Sequence, residues 1–298
     1  MVTRSRALSA KNAAVTLGAV QCPIEKERCV AVANDDTMML TLSLEELVLL
    51  LNLLKIGRLP GMAEDPSADA PPDQVAGAMA AAERALRARG FIQITSEDEP
   101  IIVFSPVLAL LLGCVAAHTV MLAASEPAER PADARYYHVS EHLAVGRSFP
   151  QLGLHRFTGG PEFGDISGEL LEMLDINSQP RPSGRAGTVS ADSMAKARDM
   201  APNDKEKEAS LLHEGGLPPD TAQAVAQALH EPVCVGSVTA EYGGPDSRLE
   251  SLGVVVTEQG IWGVVPGDED DMLEILPLSG DEAAERIMAM ATAGVPTE

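Results

Sequence analysis

Aromatic side chains are scarce. One Trp, three Tyr and five Phe make up 3% of the 298 residues, so the core has to be aliphatic, with 12 Met to fill irregular gaps. The lone Trp262 reads as a strand core residue rather than a ligand platform. Basic residues are scarce too. Against 44 Asp and Glu stand 22 Lys and Arg, giving a formal charge of −22 and a pI near 4.6. A field of that sign repels a phosphate backbone and an anionic membrane, so nucleic acid and membrane are excluded as expected partners, and a basic or apolar protein surface is favoured. Cysteine is limited to four scattered positions. Cys22 and Cys29 form no CxxC, no His pair sits at zinc-finger spacing, and Cys114 and Cys234 lie in apolar runs where buried free thiols are expected. Reduced thiols fit a cytoplasmic protein.

Long hydrophobic runs are almost missing. The N-terminal Ala/Val/Leu tract after Arg4 and Arg6 is broken by Lys11 and Asn12, and Gln21 spoils a lipoprotein-type site at Cys22, so no signal peptide is expected. Only Ile101–Ala124 runs long enough without a charge to span a bilayer. Its flanks are acidic, with no Lys or Arg anchor and no Trp or Tyr belt, and Pro106 starts a helix more naturally than it crosses one. A strand over 101–104, a buried helix over 106–117 and a strand over 118–124 account for the same residues.

Catalytic signatures are missing as well. There is no GxSxG elbow, and Gly159-Gly160 and Gly215-Gly216 are turn glycines outside any P-loop or GxGxxG fingerprint. His138-Val-Ser-Glu141-His142 matches the HxxEH metallopeptidase pattern, which needs a helix to aim both imidazoles at one metal. Here the context reads strand, turn, strand, so an accidental match is expected. The acidic run Asp268–Asp271 lacks EF-hand spacing and reads as a solvated loop. No catalytic, cofactor-binding or metal-binding residue is expected, and no cofactor.

What is there is a plan used twice. His118–Thr158 reads as four strands in an up-and-down meander, about 118–124, 134–140, 142–148 and 151–157, from apolar alternation broken at Pro and Gly. Val233–Leu276 repeats it over about 232–241, 250–257, 261–266 and 272–276. Helices precede each meander: 44–56 and 73–89 in the first half, then 190–200, 203–214 and 219–230 in the second. Ser43 with Glu46 predicts a capping box for the first of these, with Gly57 as its stop. One amphipathic helix closes each meander, 165–176 and 281–292, the latter capped by Ser279 and Glu282. The Pro/Gly/Ser-rich stretch 177–187 has no apolar periodicity and reads as a linker. The fold class is therefore α+β, a central antiparallel sheet from two strand meanders with flanking helical subdomains in a pseudo-two-fold arrangement. The divisions are 1–40, a flexible N-terminal extension; 41–176, a helical, winged-helix-like region plus meander; 177–188, the linker; and 189–298, the second helical and meander half.

The front end also resembles a winged helix, with 73–89 as recognition helix, Arg84, Arg87 and Arg89 as phosphate contacts, and strands at 91–94 and 101–104 as the wing. Charge opposes DNA binding: residues 35–105 hold twelve Asp or Glu against five Lys or Arg, and the wing tip is acidic.

SLEELVLLLNLLKIGRLPGM, an Ala-rich helix ending ALRARGFI, and SPVLALLLGCVA before a meander resemble the EspG family of ESX (type VII) secretion-associated proteins. LPPDTAQAVAQALHEPVCVGSVTAEY and GVVVTEQGIWGVVPGDEDDMLEILPLSGDEAAERIMAMA extend the resemblance, over about residues 40–293. It implies a central antiparallel sheet with helical subdomains and a cytosolic, non-enzymatic chaperone that holds the helical tip of a secretion substrate. Tyr242 and Asp246 match a YxxxD spacing found in substrates of that pathway, but in a mid-chain Gly/Pro loop the match reads as coincidence. The expected partner is thus another protein, a helical secretion substrate, met at sheet edges and the second-half helices. A winged-helix regulator with a C-terminal sensing half is the second reading, and a metallopeptidase on His138, Glu141 and His142 the third.

Overall fold

The computed structural model describes residues 38–60, 62, 70–94, 100–103, 106–200, 204–243 and 247–295. The expectations for residues 1–37, for the acidic wing tip at 95–99 and for Asp246 lie outside these.

The first described element is β1 (Met38–Ser43), with Leu40 and Leu42 inward against Met39 outward, and it pairs antiparallel to β7 (Leu154–Gly160). Ser43 then caps α1 (Leu44–Leu53) by a reciprocal capping box with Glu46. The helix stops before Gly57, because Lys55 itself takes the left-handed conformation (φ 56°) and Ile56 N–H returns to Leu51 carbonyl at 2.9 Å, a Schellman closure on a non-glycine residue. Next come α2 (Pro72–Ala88), a short hairpin of β2 (Ile92–Ile94) and β3 (Pro100–Ile102), and α3 (Pro106–Val115). The uncharged run thus divides into strand, helix and strand, and no helix among the described residues is long and apolar enough to cross a membrane.

The first meander is β4 (Thr119–Pro127), β5 (Asp133–Val139), β6 (Ala144–Ser148) and β7, followed by α4 (Gly164–Met173). The second half runs β8 (Gly187–Ser190), α5 (Ala191–Met200), α6 (Lys205–Glu214), α7 (Pro219–His230), then β9 (Cys234–Tyr242), β10 (Arg248–Thr257), β11 (Gly260–Pro266), β12 (Met272–Leu278) and α8 (Gly280–Thr292). Both meanders join one ten-stranded antiparallel sheet, in the order β1-β7-β6-β5-β4-β9-β10-β11-β12-β8. The junction is the β4–β9 ladder, registered from Thr119 opposite Tyr242 to Pro127 opposite Cys234. Each half therefore contributes the strand that opens its meander to the centre and the strand that precedes its helices to an edge. Those two edge strands are the elements that sequence reading missed. β1 places 38–40 in the sheet rather than in an extension, and β8, four residues with one buried side chain, carries too little alternation to be recognised.

Three cores divide the sheet. On one face α4 and α8 bury Met121, Ala123, Val238, Ala240 and Val254 under Leu170, Leu174, Ile287 and Met290. On the other face α1–α3 cover the β1/β7/β6 end through Leu42, Val145, Phe157 and Leu110, and α5–α7 cover the β10–β12/β8 end through Val189, Val255, Trp262 and Ile275.

The 177–187 stretch is docked rather than tethering. Gly280 N–H donates to Gln179 carbonyl at 2.9 Å, Arg181 pairs with Glu282 at 2.7 Å, and Arg185 N–H meets Thr221 Oγ1 at 3.2 Å. A Cβ on Gly280 would stand 1.5 Å from Asn177 O. Gly280→Ala is therefore expected to lower stability by about 2 kcal/mol, the scale of an overpacked site that must shift backbone. Gly168→Ala, on α4 with open space around it, should stabilise by about 0.5 kcal/mol through helix propensity. Denaturant melts of the two variants give the comparison; equal behaviour would mean that the 177–187 segment is not held against α8.

Candidate functional site

Between the two helical subdomains, no described element packs over the middle of the second sheet face. Strand pairing fixes who lies there. Leu122 of β4 sits between Thr239 of β9 and Tyr136 of β5, and Thr239 in turn faces Ser251 of β10. The next row is Val120 beside Glu241, with Leu249 beyond it. On the opposite face of the same strands, Thr119, Met121, Ala123 and Ser125 are buried, whereas Leu122 is 37% exposed and Leu249 72% exposed. Thr239 and Ser251 hydroxyls bond each other at 3.1 Å, so part of their hydrogen-bonding capacity is met within the row. Neighbouring strands lie about 4.8 Å apart, so β5 to β10 spans roughly 14 Å, room for one α-helix with its side chains. Glu126 and Glu241 stand exposed at this surface, and Arg198 of α5 reaches Glu126 at 3.7 Å from the second-half helices.

The edges offer less. Arg89 Nη2 donates to the carbonyl of Thr41 on β1 at 2.8 Å while its other arm pairs with Glu46 at 3.0 Å, so a long cation already blunts that edge. The same contacts bear on the winged-helix reading. Arg89 also stacks on Phe91, and Arg87 pairs with Glu83, so two of the three arginines expected on phosphates are engaged within the protein.

The HxxEH residues are not brought together. His138 is buried in β5, while Glu141 and His142 lie in the exposed β5–β6 turn, 3.7 Å from each other. Among the described residues no group of His, Cys, Asp or Glu is arranged to hold a metal ion. Burial pushes the His138 imidazole down to about 3, with the Arg147 guanidinium adding to the effect. Cys114 and Cys234 are free and buried, and burial pushes their thiols up to about 12 and about 11. Trp262 is a core residue of β11 as expected. It forms the floor of a cleft of about 580 Å³ between α7, Pro182-Ser183 and the β10–β11 turn, whose polar lining, including Asp220, Gln227 and Glu258, contains no nucleophile–base pair. Tyr242 is buried in β9 and its hydroxyl donates to Glu250 at 2.8 Å. A residue so fixed is part of the sheet.

An antiparallel sheet packed under helices on one face and, among the described residues, open between two helical subdomains on the other defines an α+β scaffold with an accessible sheet face. The chain belongs to the EspG family: the family model matches residues 43–289. Among solved structures it is similar to a chain of the Mycobacterium tuberculosis type VII secretion system chaperone EspG5 in complex with a PE25–PPE41 dimer, at 15% identity and a TM-score of 0.54, covering 87% of this chain and 97% of that one. At that identity the likeness is one of fold. No curated protein matches the chain.

Proposed function

We propose that this protein is a cytoplasmic, non-enzymatic chaperone of type VII secretion that holds a helical segment of a PE–PPE-type substrate on the open face of its sheet. Family membership over 43–289 carries the reading, and the similar EspG5 structure, described as a secretion chaperone with a PE25–PPE41 dimer, supports it. The surface chemistry suits such a cargo. Leu122, Val120 and Leu249 offer aliphatic contact to the apolar stripe of an amphipathic helix, and Glu126 and Glu241 favour Lys or Arg on its flank. The two halves, 41–176 and 189–298, would act as walls related by a pseudo-two-fold through the middle of the β4–β9 ladder, near Ala123 and Val238. The matched order of elements on either side supports that symmetry.

The test is co-expression of the full chain with a PE–PPE-type dimer, followed by size-exclusion chromatography. Co-elution is expected. A dimer that stays separate from the chain, together with salt-sensitive retention of the chain on duplex DNA, would replace the chaperone reading with the regulator.

A further inference from the structure

The cleft floored by Trp262 has no part in the chaperone reading. Its volume of about 580 Å³ falls within the range of clefts that hold ligands, roughly 300–1,000 Å³. Trp262 is 2% exposed, yet its indole N–H has no acceptor among the described residues. It is not one of the polar atoms sealed inside the protein either, so the space open to it is the cleft that its ring lines. A buried indole N–H usually finds a partner. The ring itself is fixed from the other side. A Cβ on Gly184 would stand 2.6 Å from Cη2, and the neighbouring Arg185 closes on Thr221 Oγ1 through both its N–H and its carbonyl, each at 3.2 Å. The donor is therefore held in place before any ligand arrives.

Charge in the same cleft is unbalanced. Asp220, Glu231 and Glu258 line it against one ammonium, that of Lys205. Lys205 Nζ donates to Gln227 Oε1, and Gln227 Nε2 donates to Glu231 Oε2 at 2.6 Å, so this cation rests on an amide along one wall. Asp220 has Arg185 no nearer than 3.9 Å, and Glu258 has neither an ion pair nor a hydrogen bond among the described residues. Ala224 and Ala228, one turn apart on α7, add apolar lining together with Val233. An N–H in want of an acceptor, carboxylates in want of a cation and an apolar strip fit a ligand that brings a carbonyl, a positive charge and a short aliphatic stem. A basic residue within a peptide has all three.

We propose that this cleft binds a peptide segment through an arginine or lysine residue: a main-chain carbonyl of the peptide accepts from Trp262 Nε1, and the cationic head of the side chain pairs with the cleft carboxylates, Glu258 and Asp220 foremost. The cleft shares no lining residue with the Leu122 row, so binding here does not depend on the open face.

Trp262 is the one Trp of the chain, so its indole N–H gives a single NMR signal that reports on the cleft directly. The experiment titrates the full chain, at low ionic strength, with acetyl-Gly-Arg-Gly-amide, with the same peptide carrying neutral citrulline in place of arginine, and with spermidine. The arginine peptide is expected to move the indole signal saturably. The citrulline peptide, equal in shape and without the charge, should bind about ten-fold more weakly, and spermidine, which has no carbonyl, more weakly than the arginine peptide. Glu258→Gln, an exposed change in the β10–β11 turn, should weaken the arginine peptide about three-fold, and Glu258→Gln with Asp220→Asn about ten-fold. An indole signal that the arginine peptide leaves in place, equal binding of the arginine and citrulline peptides, or undiminished binding by the double variant would overturn the proposal. So would spermidine acting at a lower concentration than the peptide, which would make the cleft a polyamine site.

Discussion

Acidification from pH 7 to pH 4 is expected to destabilise the first half of the sheet by several kcal/mol, with His138 the largest single source. Its imidazole is fully buried in β5, and its pKa is lowered from 6.5 to about 3 by that burial and by Arg147. His155 is lowered to about 4 by the same two causes. The unfolded chain protonates both near pH 6.5 and the folded chain does not, so stability is complete above that pH and falls as the pH drops toward 4. Each pH unit in that window is worth about 1.4 kcal/mol for a group barred from protonation, so His138 alone removes roughly 3 kcal/mol by pH 4. Urea melts at pH 7, 5.5 and 4 on the wild type and on His138→Leu would show it. The stability gap between the two proteins should change by about 3 kcal/mol across the range, the variant losing less. Parallel pH curves would mean that His138 is protonated in the native protein, and the packing of α3 over β5 would have to be reconsidered.

The second large effect concerns the open face. Leu122→Arg places a long cation at the centre of the trough, between Thr239 and Tyr136, where the proposed cargo helix would lie. Truncation or blocking of a central apolar anchor costs about 2 kcal/mol or more in binding, so affinity for a PE–PPE-type dimer should fall about 30-fold or further. The melting temperature should stay close to that of the wild type, because the Leu122 side chain supports none of the three cores. Leu152→Arg, in the β6–β7 turn and fully exposed, is the matching control and should bind as the wild type does. Isothermal titration on the three proteins decides: undiminished binding by Leu122→Arg would move the contact surface to another part of the molecule.

Much of this fold is written in local pattern. The aromatic pair Tyr136-Tyr137, the β-branched run Val254–Val256, the capping boxes at Ser43 and Ser279, and the amphipathic faces of α4 and α8 place strands and helices within a few residues of where they lie. Edge strands are harder to read, since β8 has only Val189 to mark its inward side. The docking of 177–187 was illegible for a different reason. Its partners, Gly280, Thr221 and Glu282, lie 36 to 101 residues ahead in the pairs formed by Arg185 and Arg181, and no periodicity encodes a contact at such range. The candidate face is hidden in the same way. Leu122 sits in an unbroken apolar run, TVMLAA, that suggests burial on both sides of β4, and its exposure follows from where α3 and α5 stop. Conversely, His138-Val-Ser-Glu141-His142 looks like chemistry in one dimension, and it dissolves once β5 ends at Val139 and leaves Glu141 and His142 in the exposed turn while His138 stays buried.

The central β4–β9 ladder also sets a schedule for biosynthesis. Pro127 ends one of these strands and Cys234 begins the other, so the ribosome must extend the chain by more than a hundred residues before the first can acquire its neighbour. At typical elongation rates that interval is about ten seconds, during which a nine-residue border rich in Val, Met, Leu and Ala stands without its mate. Nascent chains stalled or cleaved in that window would present a template for cross-molecular pairing, so the chain is most vulnerable to such pairing while half made.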